Sequence, residues 1–192
     1  MSKFIWKIQS SFYHRLRRNP LSARILQNEN LRIKAFFNEI TAWHILDIGC
    51  GRGNNLRLLS EYTTSVVVTD YVLNMLKNVK HDLPLATPVM ADACWLPFKD
   101  GSFDLITCIG VLEYIKDWQL VLQEVHRLLI PGGQAIITLS PPHLFNYGRW
   151  LLGHRIFTRN MTDLHNLLGY TSLQIVSQNR TLIQNQFLLK KL

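Results

Sequence analysis

The apolar residues of this 192-residue chain follow two rhythms, and the change from one to the other falls near residue 42. Upstream, Phe4, Ile8, Phe12 and Leu16 recur every four positions. Lys3, Lys7, His14, Arg15, Arg17 and Arg18 fall largely elsewhere, as in an amphipathic basic helix. Asn19-Pro20 interrupts that helix, because the residue before a proline avoids helical dihedrals. A second helical pattern follows, with Ile25, Leu26, Ile33, Phe36, Phe37 and Ile40. Downstream, short apolar runs alternate with helical stretches, the signature of βαβ units and a parallel sheet. Strands are predicted near 44–48, 65–69, 86–90, 103–109 and 133–139, with helices at 53–61, 72–80 and 117–129. Ile130-Pro131-Gly132-Gly133 ends the last helix, since proline cannot continue it and glycine supplies the reversal into the next strand. The tail offers a short helix at 160–168, then Ser172–Ser177 and Gln186–Leu189 as a closing hairpin. The pattern predicts an α/β domain over 43–192, preceded by a helical arm or lid over 1–42.

Composition adds the placement of charge. The chain is 47% hydrophobic and 18% charged, which is the make-up of a folded protein. Its length suits one hydrophobic core. Of the formal charge of +8, most sits in residues 1–40, where eight Lys or Arg face only Glu29 and Glu39. A basic partner surface therefore belongs to the arm, while the remaining body is almost neutral. Cys50, Cys94 and Cys108 form no C-x-x-C pair and no His stands at ligand spacing, so neither a disulfide framework nor a metal site is expected. The apolar start is broken at Lys7, and no run approaches eighteen apolar residues, so a cytoplasmic location is the default expectation.

The chemistry concentrates at HILDIGCGRGNN, residues 44–55, where an apolar strand runs into Gly49-Cys50-Gly51-Arg52-Gly53 and then a helix. Glycines there allow a tight turn and a close approach of backbone N–H groups to a ligand. A dinucleotide fingerprint needs its third glycine where this chain has Asn54, and the Gly-Lys-Ser/Thr ending of a phosphate loop is missing. Asp70 ends the next strand, VVVTD. An acid there can accept hydrogen bonds from both hydroxyls of a ribose, or it can cap the following helix. Asp92-Ala93 follows the third strand, where a carboxylate can meet an adenine amino group or remain a solvated loop acid.

These blocks resemble the class I S-adenosylmethionine-dependent methyltransferases, particularly the small subgroup similar to the ubiquinone and menaquinone biosynthesis methyltransferases. The matching stretches are LDIGCGRG, VVVTDYVLNML, ADACWLPFKDGSFDLITCIGVLEYI and LLIPGGQAIIT. The resemblance implies a doubly wound, Rossmann-like sheet of seven strands, mostly parallel with the last antiparallel. It implies S-adenosylmethionine as cofactor and S-adenosylhomocysteine as product. Asp47, Gly49, Cys50, Gly51 and Gly53 would line the methionine part, Asp70 the ribose, and Asp92 and Ala93 the adenine. Ile109 would abut the sulfonium side, and Tyr71 and Met75 complete the expected cofactor set. Charge agrees with a cofactor that is cationic at sulfur and carries no phosphate. Asp47, Asp70, Asp92 and Glu113 converge on the strand ends, and no lysine follows the glycine turn.

Methyl transfer needs alignment and exclusion of water, worth roughly 7 to 11 kcal/mol of barrier. A base adds about 10² to 10⁴-fold if the acceptor must lose a proton. The base candidates are Glu113, Tyr114 and His143; many relatives carry His where this chain has Tyr114. Packing or capping is the alternative role for each. Ser140-Pro141-Pro142-His143 is similar to the motif of enzymes that methylate exocyclic amines, but it follows strand five, lacks the aromatic residue and reads as a positioning loop. The aromatic stripe Phe4, Trp6, Phe12, Tyr13, Phe36 and Phe37, with Tyr147, Arg149, Trp150 and Arg155, suits a small or lipid-like acceptor or peripheral contact with a membrane. Packing of that stripe on the sheet is the alternative. A nucleic-acid or protein substrate gripped by the arm, and a non-catalytic cofactor-binding subunit, are the competing functions. A nicotinamide dehydrogenase is the most distant one.

Overall fold

The computed structural model describes residues 20–38, 40, 44–51, 53, 55–59, 61–63, 65–77, 79, 84–143, 156–181 and 183–192. The amphipathic pattern of residues 3–18 and the residues Tyr147, Arg149, Trp150 and Arg155 lie outside them. In chain order the elements are α1 (Pro20–Phe37), β1 (Ile45–Ile48), α2 (Leu56–Leu59), β2 (Val66–Asp70), α3 (Leu73–Leu76), β3 (Ala86–Met90) and β4 (Phe103–Cys108). A 3₁₀ turn (Leu112–Tyr114) follows, then α4 (Trp118–Leu128), β5 (Leu129–Leu139), α5 (Met161–Leu168), β6 (Leu173–Arg180) and β7 (Asn185–Lys191).

The seven strands form one sheet in the order β3-β2-β1-β4-β5-β7-β6. Strands β1 to β5 pair in parallel, and β7 runs antiparallel to both β5 and β6. The expected doubly wound sheet with an antiparallel last strand is therefore present. The chain proceeds outward from β1 through β2 to β3, then returns to place β4 on the other side of β1. That reversal opens a crevice at the carboxyl ends of β1 and β4, where open α/β sheets hold their ligands.

Each central strand is buried on both faces, which is why ILDI and LITC read as continuous apolar runs. Alternate residues feed opposite layers. Leu46, Ile48, Ile106, Ile137 and Phe187 pack with α4 and α5 through Trp118, Leu122, Val125 and Leu164. Ile45, Leu105, Ile136 and Leu188 pack on the other side with α2 and with Ile33, Phe36 and Phe37 of α1. Two aromatic residues of the predicted stripe, Phe36 and Phe37, thus belong to the core, and Phe37 stacks on Tyr62 at 4.8 Å. Within the expected arm, α1 thus turns these apolar residues to the sheet.

The turn after α4 also differs from expectation. Residues 129 to 139 form one strand, β5, instead of starting at 133. The register jumps from Phe103 with Leu129 to Leu105 with Gln134, so Pro131-Gly132-Gly133 is a bulge inside the strand. At the sheet's outer edges, β3 carries Pro88, and β6 shifts register between Ile175 and Ser177. No helix among the described residues is long and apolar enough to cross a membrane. If α1 is part of one cooperative unit, Ile33→Ala should cost about 2 to 5 kcal/mol in urea unfolding. A loss below roughly 1 kcal/mol, the range of surface changes, would place α1 outside it.

Candidate functional site

Asp47 and Asp70 lie on neighbouring strands, on the face that α1 and α2 cover. Asp47 is 1% exposed. Its Oδ1 accepts the hydroxyl proton of Thr107, its register partner on β4, at 2.6 Å. Its Oδ2 is buried with no hydrogen-bond partner among the described residues. Burial pushes the Asp47 carboxyl up to about 7; the Thr107 bond opposes this and the Asp70 charge adds to it.

Asp70 is engaged on both oxygens. The Gly51 N–H donates to Oδ2 (2.9 Å) and the Val72 N–H donates to Oδ1 (2.8 Å). Its carboxyl is raised by burial against those backbone bonds. Asp70 thereby ties the glycine turn to the segment that enters α3, although α3 itself has no side-chain cap. The Tyr71 backbone adds a third bond, and with about two lone-pair sites on each carboxylate oxygen one site remains for a further donor.

Three N–H groups of the glycine turn are already engaged within the protein: Cys50 donates to the Thr69 carbonyl (2.9 Å), Gly51 to Asp70 and Gly53 to the Cys50 carbonyl (2.9 Å). Those three donors are turned away from a ligand. Gly49 and Gly51 both have positive φ, +70° and +55°, for different reasons. A Cβ on Gly49 would lie 2.4 Å from Val111 Cγ2, so this glycine lets the turn pack on the segment after β4. A Cβ on Gly51 would meet nothing within 4 Å, so that face of the turn is open. Cys50 buries its side chain in the α1 face of the core, and burial raises its thiol far above the ordinary range.

The other expected site residues are arranged around this turn. Tyr71 is exposed and Met75 is buried in α3. Asp92 is exposed and accepts the Cys94 N–H on Oδ1 (2.9 Å), while Ala93 packs against the α4 face of the core. Ile109 ends the β4 run and packs against the α1 face. Glu113 and Tyr114 are buried in the 3₁₀ turn after β4. His143 is exposed in the loop after β5, so the three base candidates do not share one environment.

Sequence reasoning missed Arg159, a buried cation that organises this region. Its Nη1 donates to the carbonyls of Leu112 (2.8 Å) and Phe157 (3.1 Å), and its Nη2 to those of Ile115 (2.6 Å) and Lys116 (3.2 Å). The guanidinium also lies over the rings of Trp118 and Phe157, at 4.9 and 5.5 Å. Burial lowers its pKa, and nearby Glu113 and Asp163 oppose that. The one local signal was its place just before the capping box of Asn160 and Asp163, which fixes the start of α5. Glu29 and Gln186 were missed as well: Gln186 Nε2 donates to Glu29 Oε2 at 2.9 Å, in the buried seam between α1 and β7.

No cation is paired with Asp47 or Asp70 among the described residues; the ion pairs seen are Lys34 with Glu61, His44 with Asp104, and Arg127 with Asp100 and Glu124. A pH dependence follows. Between about 4 and about 7 the folded protein holds a proton on Asp47 that the unfolded chain has released, so stability falls as pH rises across that window. Asp47→Asn should remove that fall, and the gap between variant and parent in urea unfolding should widen by a few kcal/mol from pH 4.5 to 8. A constant gap would mean that Asp47 titrates as an ordinary carboxylate.

The family model described as Methyltransferase domain matches residues 46–137, which runs from β1 to β5. The arginine-hydroxylase NDUFAF5 of Danio rerio is 39% identical over 147 residues, covering 69% of this chain and 45% of that protein. The demethylmenaquinone methyltransferase of Oceanobacillus iheyensis is 37% identical over 111 residues, covering 53% and 47%. The chain spans about half the length of these curated relatives. Among solved structures, the magnesium protoporphyrin IX methyltransferase of Synechocystis, with bound S-adenosylhomocysteine, superposes with a TM-score of 0.76 at 16% identity, over 94% of this chain and 93% of that one. By this family match, residues 46–137 are a methyltransferase domain of the class I S-adenosylmethionine-dependent family.

Proposed function

We propose that this protein seats S-adenosylmethionine at the carboxyl ends of β1, β2 and β4 and passes its methyl group to a small or lipid-like acceptor. The observation that carries this reading is the buried Asp47 Oδ2, which has no hydrogen-bond partner among the described residues and stands beside a turn whose Cys50, Gly51 and Gly53 N–H groups are already engaged. Such a site repels phosphate and favours a ligand bearing an ammonium group. The residues present therefore fit the cofactor.

In this reading Asp47 takes the α-ammonium group, and Gly51 leaves room for the methionine chain alongside Gly49, Cys50 and Gly53. Asp70 takes the ribose with its remaining lone pair. Asp92 and Ala93 frame the adenine, with Tyr71 and Met75 near it, and Ile109 flanks the sulfur. When bound, the cofactor supplies a methyl group on a positively charged sulfur, ready for in-line displacement. The protein's own contribution is alignment and dryness, which the turn packed on Val111 and the carbonyl clasp of Arg159 serve. Glu113, Tyr114 and His143 are the groups that would receive an acceptor's proton. The basic arm, residues 3–18, is the element for a lipid-like acceptor or a membrane surface; nucleic acid is the less favoured partner.

Asp70→Ala should weaken S-adenosylmethionine binding at least about tenfold in calorimetric titration, because it removes a charge-assisted acceptor. Unchanged affinity would refute its assignment. Gly51→Ala and Gly49→Ala both strain a backbone at positive φ, but they should separate in degree: the second loses more stability, because its methyl also strikes Val111, while the first shows mainly as weaker cofactor binding. Chemistry is read from the mass of a converted acceptor in a cell extract supplied with labelled cofactor. A labelled methyl supports the proposal. Gain of an oxygen atom without label would support a hydroxylase, the activity named for the zebrafish relative.

A further inference from the structure

The sheet face beneath α1 carries polar side chains beyond the Asp47–Thr107 pair. On the next two strands Thr138 of β5 and Gln186 of β7 are register partners, and both are 0% exposed. The Thr138 hydroxyl accepts the Gly110 N–H at 2.8 Å, so these residues stand directly beside the end of β4. Gln184, at the tip between β6 and β7, also borders Gly110, with Nε2 3.8 Å from where a Cβ would sit. Gln186 then reaches α1, its Nε2 donating both to the Glu29 carboxylate and to the Glu29 carbonyl (3.1 Å). Ser140, two residues past Thr138, is buried, with its carbonyl taken by the Arg159 N–H.

Three atoms of this stretch are buried with no hydrogen-bond partner among the described residues: Glu29 Oε1, Ser140 Oγ and Gln186 Oε1. The Glu29 carboxylate also has the Ile183 N–H and the Thr181 hydroxyl against it, Thr181 giving its proton to the Gln184 carbonyl (2.7 Å), so the acceptors left without any donor nearby are those of Ser140 and Gln186. Native folds rarely leave such atoms unmatched, because each has lost its water for nothing in return. A carboxylate oxygen and an amide oxygen only accept, and a hydroxyl does both, so their complement is a group that donates. The two Gln186 Nε2 bonds fix the amide's orientation and rule out a flip that would present its donors instead.

We propose that Ser140 and Gln186, whose amide Glu29 holds in place, form a recognition subsite for the methyl acceptor, one that selects a headgroup carrying hydrogen-bond donors, a hydroxyl or an amine. The proposal rests on the methyltransferase reading above. The cofactor lies toward β1 and β2, the donor-bearing headgroup toward β5 and β7, and Gly110 sits between them. The seam that docks α1 thus doubles as the wall of the acceptor pocket.

The test uses full-length protein loaded with S-adenosylhomocysteine, and saturation-transfer NMR with matched probes. Hydroquinone is compared with 1,4-dimethoxybenzene, and benzylamine with toluene; within each pair only the first carries donors. The donor-bearing member of one pair should bind at least about tenfold tighter, and which pair responds tells hydroxyl from amine. Glu29→Gln and Ser140→Ala should each cut that preference severalfold while the affinity for S-adenosylhomocysteine stays within about twofold. No probe binding, equal binding within both pairs, or a preference that survives both substitutions would overturn the subsite. Failure of the unsubstituted protein to take up S-adenosylhomocysteine would instead overturn the cofactor reading, and the loading titration shows that separately.

Discussion

The structure is organised around two carboxylates held away from water with no cation paired to them among the described residues. Asp47 and Asp70 lie on adjacent strands on one face, and the Asp70 charge adds to the burial that raises the Asp47 carboxyl. Thr107 relieves one oxygen of Asp47, and backbone N–H groups relieve Asp70. The remaining imbalance is localised on Asp47 Oδ2. Folding alone has no use for such an arrangement, since replacing a buried charge by an apolar side chain commonly stabilises a protein. The imbalance is what gives the crevice its preference for a positively charged ligand.

The glycine turn shows how that preference is enforced by the backbone. A turn of the same length with outward N–H groups would attract phosphate. Here the N–H of Gly51 is turned back to Asp70, and those of Cys50 and Gly53 are closed on carbonyls. One interaction, Gly51 to Asp70, therefore anchors the turn to β2, orients the acid and withdraws a donor from the crevice.

Much of this was legible in the sequence, and the reason is periodicity. Strands buried on both faces are mostly apolar, so ILDI, VVV and LITC announced themselves despite Asp47 and Thr107, and glycines and acids near their ends marked the crevice. The closing hairpin was also legible, though β6 and β7 run further than their apolar residues do, because Gln178 and Lys190 are exposed and Asn179 donates to the Arg32 carbonyl of α1. What was not legible depended on contacts distant in sequence. Arg159 reaches carbonyls more than forty residues away, and Glu29 meets Gln186 across 157 positions. Neither pair has a local spacing that a pattern could expose. The direction of the turn's N–H groups was hidden for another reason: spacing tells where glycines stand, while the acceptors Thr69 and Asp70 lie on another strand.

The two margins of the sheet carry a consequence for behaviour at high concentration. A strand rim with a free row of N–H and C=O groups invites another chain to dock there and begin a fibre. Pro88 removes a donor from the β3 rim, and the displaced pairing at Ile175 and Ser177 bends the β6 rim out of line. Neither flank offers an unbroken template, so a protein with a sheet this wide is guarded against stacking edge to edge into insoluble arrays.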